Sequence, residues 1–77
     1  MAELYGSVRT TVRLLSEVES MLKHPSVALE LGRQGVNVSL AILGVQGLTA
    51  YIEGNRARAL DDFSTLAEEI RARLEPR

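Results

Sequence analysis

Apolar residues recur along the chain at intervals of three and four, the period of an α-helix lying against a partner surface. The first run is Leu4, Val8, Val12, Leu15, Val18 and Leu22, with Arg9, Arg13, Glu17, Ser20 and Lys23 falling elsewhere. It predicts a helix over residues 4–23, stopped at His24, because the residue before a proline is pushed out of the α region. Arg13 with Glu17 and Glu19 with Lys23 stand four apart and add weak support. Pro25 suits the first position of a second helix, with Ser26 as a rival cap. Val27, Leu31, Val38, Ile42, Val45 and Ile52 then hold helical phase across Gly32 and Gly35. That phase favours, by a small margin, one long helix over residues 26–53. The alternative breaks it at 32–36 and lets Asn37 cap the second piece. Gly54 supplies a left-handed end, and Asn55 caps a last helix over 55–74 with the stripe Ala59, Leu60, Phe63, Leu66, Ala67, Ile70 and Leu74, closed by Pro76. No period-two alternation or hairpin turn signals a strand. The expected fold is all-α, a bundle of three helices, or four if the middle one breaks, forming one domain over residues 1–77.

The outer helices have one wet face each, but the middle helix is apolar on two. Opposite the stripe already named lies a second: Leu29, Val36, Leu40, Leu43, Gly47 and Tyr51. A helix hydrophobic nearly all round must be covered on more than one side. Two neighbours in the same chain would cover both stripes. Otherwise one stripe meets another chain, and the second stripe is the candidate interface.

Size sharpens the point. Seventy-seven residues bury only about 60% of the surface of the unfolded chain, and small domains commonly add a disulfide, a metal or a partner. The chain has no cysteine and a single histidine, His24, so disulfides are excluded and a zinc site is close to excluded. No cofactor or metal is expected. Nine basic residues against ten acidic ones, a net charge of −1, give no general pull toward nucleic acid or anionic lipid. Between Arg33 and Glu53 run 19 uncharged residues, but Gln34, Asn37, Ser39, Gln46, Thr49 and three glycines make a membrane span the poorer reading. With no secretory signal and no cysteine, the cytoplasm is the expected compartment.

Residues 40–73 carry Gly47, Tyr51, Gly54, Ala59 and Phe63 at a spacing that resembles a tetratricopeptide-repeat hairpin. The family's aromatic opening residue and terminal proline are missing, and such repeats need about three copies for stability. The resemblance implies a peptide- or helix-binding surface and no catalysis. Ala28, Gly32, Val38 and Ala41 are similar in spacing to a helix-turn-helix. Its reading helix would carry no Lys or Arg, which phosphate and base contacts require. His24 has no nucleophile beside it, and no glycine-rich phosphate loop exists. The expected function is therefore a non-catalytic interaction module that self-associates through its middle helix, most simply as a homodimer. The alternative is a chaperone-like adaptor whose apolar surface is covered by a different protein.

Overall fold

A computed structural model of the chain describes residues 2–74, with side chains from residue 7 onward. The roles expected of Leu4, Tyr5 and Pro76 lie outside the described residues. Four helices follow one another: α1 (Ala2–Lys23), α2 (Pro25–Arg33), α3 (Val38–Ile52) and α4 (Arg56–Leu74).

The boundaries are set by local chemistry. α1 ends at Lys23 because His24 is extended (φ −68°, ψ 129°) ahead of Pro25. His24 is itself the cap of α2: its Nδ1 accepts the Ser26 backbone N–H at 3.3 Å, so the histidine and not Ser26 takes that role. α2 ends in a Schellman turn around Gly35 at φ +86°. Val36 donates its N–H to the Leu31 carbonyl at 2.9 Å, and Gly35 donates to Gly32 at 3.1 Å. α3 ends identically around Gly54 at φ +85°, with Asn55 N–H to the Ala50 carbonyl at 2.8 Å and Gly54 N–H to Tyr51 at 3.1 Å. Each turn hands over to an asparagine cap. Asn37 Oδ1 accepts the Leu40 N–H at 3.1 Å, and Asn55 Oδ1 accepts the Arg58 N–H at 3.1 Å.

The long middle helix is thus broken, and α2 and α3 meet at 116°. The phase of the apolar stripe concealed this. The connection Gln34–Asn37 is four residues, close to one helical turn, so it advances the phase by nearly a full circle.

α3 is the centre of the structure. α4 packs along one side of it and α1 along another, while α2 touches α1 and α3 only lightly. Among the described residues no Cα of α1 comes within 8 Å of one in α4. The long helices therefore form an open row rather than a closed triangle. The radius of gyration is 14.5 Å, against about 11.5 Å for a compact chain of this length.

Candidate interface

α3 carries no charged side chain. Its contact with α4 is built on small residues. The ring of Phe63 lies over Gly47 so closely that a β-carbon there would stand 2.7 Å from Cε1 and 2.9 Å from Cδ1. One turn earlier, a β-carbon on Gly44 would meet Leu66 Cδ2 at 3.6 Å, an ordinary contact. Rising numbers on α4 match falling numbers on α3, so the two run antiparallel. Gly47, Ala50 and Ala59 are the buried residues of this seam.

The α1 side of α3 is polar at its centre. Gln46 donates Nε2–H to Glu19 Oε2 at 3.2 Å, and the same carboxylate oxygen accepts Lys23 Nζ at 2.8 Å. Those two hydrogen bonds, Lys23 first, hold the Glu19 carboxyl below the usual carboxylate range, helped by the positive charges of Lys23 and Arg58. Glu19, Gln46, Ala50, Glu53, Asn55 and Arg58 line an open groove along this side of the row. Arg58 Nε stands 3.8 Å from Asp62 Oδ2, too far for a hydrogen bond, and that oxygen is buried without a partner. Of the helix pairs expected from spacing, Glu19–Lys23 forms at 2.8 Å, while Arg13 and Glu17 do not meet. Glu69–Arg73 also closes at 2.8 Å.

The stripe expected to form the interface does not stay together. Gly47 is covered by Phe63 of its own chain. Leu43 and Leu40, one and two turns before it, share its phase toward α4 and are half-buried. Leu29 on α2 (60% exposed), Val36 in the turn and Tyr51 on α3 (63%) remain open to solvent. Several apolar residues outside that stripe are also open: Leu14, Val18, Met21, Leu48, Leu60 and Leu74. Val8 and Val18 of the stripe expected on the first helix, and Leu60, Ile70 and Leu74 of that expected on the last, are each more than a third exposed, because the neighbouring helix covers only part of each stripe. The spacing of the α1 group is visible in the sequence, since Leu14, Val18 and Met21 stand at i, i+4 and i+7 and share Val18 with the first apolar run.

The α2–α3 pair has the angle and four-residue, glycine-containing turn of a helix-turn-helix. Its second helix nevertheless has no cation to offer a phosphate and is flanked by α1 and α4. Among the described residues no single helix is long and apolar enough to cross a membrane, and no group of three or more acidic or histidine side chains could hold a metal ion. No protein-family model, curated protein or solved structure matches the chain.

Proposed function

We propose that this chain is a non-catalytic helical interaction module that self-associates, with a homodimer as its closed unit. The observation that carries the reading is the lack of an enclosed core. Among the residues with described side chains, only glycine and alanine are buried: Gly47, Ala50 and Ala59. Among the described residues no large apolar side chain is fully enclosed, and Leu14, Leu29, Leu48, Leu60 and Leu74 forgo much of the roughly 1.5–3 kcal/mol that full burial of each contributes. Domains are ordinarily two packed layers around one core, and this chain supplies one. The likeness of residues 40–73 to a tetratricopeptide hairpin is compatible with the same reading, because such hairpins cover their faces by stacking on further units.

The test is the mass and melting of the pure chain. Sedimentation equilibrium should give a dimer of the 8.4 kDa chain, and the melting temperature should rise with protein concentration. A cooperatively folded monomer at high concentration refutes the proposal. A poorly ordered monomer that gains helix only with a different protein favours the adaptor reading instead.

A further inference from the structure

We infer that the self-association surface is the face of the helical row opposite the polar groove, spanning α1, α3 and α4, and that its occupant is the same face of a second copy. This rests on the self-association reading above and keeps only Tyr51 of its middle-helix stripe.

The groove shows which side of each helix is which. On α3, Gln46, Ala50 and Glu53 line it. At about 100° per residue, Leu48 and Tyr51 then fall on the opposite side. On α4, Arg58 lines the groove, and Asp62, one turn on, shares its side. Across the line Ala59, Phe63 and Leu66 that faces α3 lie Leu60 and Leu74. On α1, Lys23 shares the Glu19 carboxylate with Gln46 and so marks the groove side. Leu14, Val18 and Met21 lie across the line Val12, Leu15 and Leu22. Phase thus collects onto one face large apolar residues from all three long helices, each more than a third exposed. The other face is lined by polar and charged groups of both signs.

Area identifies the occupant. The chain exposes 6066 Å², whereas a compact monomer of 8.4 kDa exposes about 4,600 Å². The excess, roughly 1,500 Å², exceeds the ~800 Å² that each partner contributes to a standard stable interface. A single peptide helix would cover only part of a face three helices wide. A second copy presents the same three-helix face, and a two-fold axis closes both at once. The balanced charge of nine basic and ten acidic residues places no strong repulsion between identical copies and no field that would select an anionic lipid surface.

The chain has no cysteine, so single-cysteine variants can be spin-labelled at chosen points. In the full-length chain, Leu48→Cys and Glu53→Cys place a label on the apolar and groove faces respectively. Inter-copy distances by pulsed dipolar spectroscopy should be shorter from position 48, by roughly 20 Å, since position 53 adds a helix diameter of about 10 Å on each side. In parallel, Leu48→Glu should weaken association at least ~100-fold, because two copies of the charge would be buried, while Glu53→Gln leaves the mass unchanged. A dimer whose labels are closer at position 53, or equal at both, overturns this face and leaves self-association standing. A folded wild-type monomer, including one that co-sediments with anionic phosphatidylserine vesicles, overturns both.

Discussion

Replacing Gly47 with alanine sets two effects of similar size against each other. Alanine in a helix interior is favoured over glycine by about 1 kcal/mol. Against that, the new methyl would stand 2.7 Å from Phe63 Cε1, 2.9 Å from Cδ1 and 3.1 Å from Cζ. Three ring carbons at such distances cannot be relieved by a small side-chain rotation. The ring must leave its place or α4 must move away from α3, and overpacking of this kind costs about 1–3 kcal/mol. The net expectation is a destabilisation of about 0–2 kcal/mol. Gly44→Ala is the internal control, because its methyl would meet only Leu66 Cδ2 at 3.6 Å. The helix preference then acts alone and should stabilise by about 0.5–1 kcal/mol. Chemical denaturation followed by circular dichroism, at one fixed protein concentration, should separate the two variants by about 1–3 kcal/mol, or several degrees in melting temperature for a chain of this size. Phe63→Leu should remove most of the penalty in the double variant. If Gly47→Ala stabilises as much as Gly44→Ala, the close seat of the ring on α3 is wrong, and with it the packing of the α3–α4 seam.

Three further outcomes follow from the local geometry. Gly35→Ala should destabilise by about 1–2 kcal/mol, because Gly35 sits at φ +86° where nothing crowds it, so the loss measures backbone strain alone; an unchanged denaturation midpoint would mean that α2 and α3 are continuous. Asp62→Ala should raise stability by about 1 kcal/mol, since it removes a buried unpaired oxygen and forgoes only a distant Arg58 contact; a loss of stability would show that the Arg58 pair matters more than the orphaned oxygen. Glu19, whose carboxyl is held below its ordinary value, contributes stability above that value that is lost as pH falls through the lowered one; Glu19→Gln should flatten the acid limb of the stability profile, and an unaltered limb would show that the Lys23–Gln46 cluster does not form in solution.

The two turns and their asparagine caps were legible because they are local. Gly54 with Asn55, and Asn37 after Gly35, state their conformational roles within a few residues. Whether the turn at Gly35 is used depends on how α3 packs between α1 and α4, and the stripe of Val27, Leu31, Val38 and Ile42 is silent on that, since a four-residue turn preserves its phase. The apolar excess of the middle helix was equally visible. Its division was not: Gly47 is covered by Phe63 of α4, a contact far apart in sequence, and Leu40 and Leu43 share its phase. On α1 and α4 the apolar spacing is broader than the contact: Val18, Leu60 and Leu74 belong to the expected stripes yet lie open, and Leu14 and Met21 lie beside them. Which of two adjacent stripes meets the neighbour is decided by the order of helices in the row.

That order also governs how the structure is reached. Most backbone contacts join elements adjacent in sequence, α3 with α4 foremost, and the longest reach is from α1 to α3 across the short α2. Low contact order of this kind goes with folding in microseconds to milliseconds. The α3–α4 hairpin, bounded by an asparagine cap and sharing a glycine-seated phenylalanine, can form before α1 docks. Because the row never closes on itself, docking of α1 leaves the chain with no final intramolecular collapse. On the self-association proposed above, the last step of folding becomes an encounter between two molecules, whose rate scales with concentration while every earlier step does not.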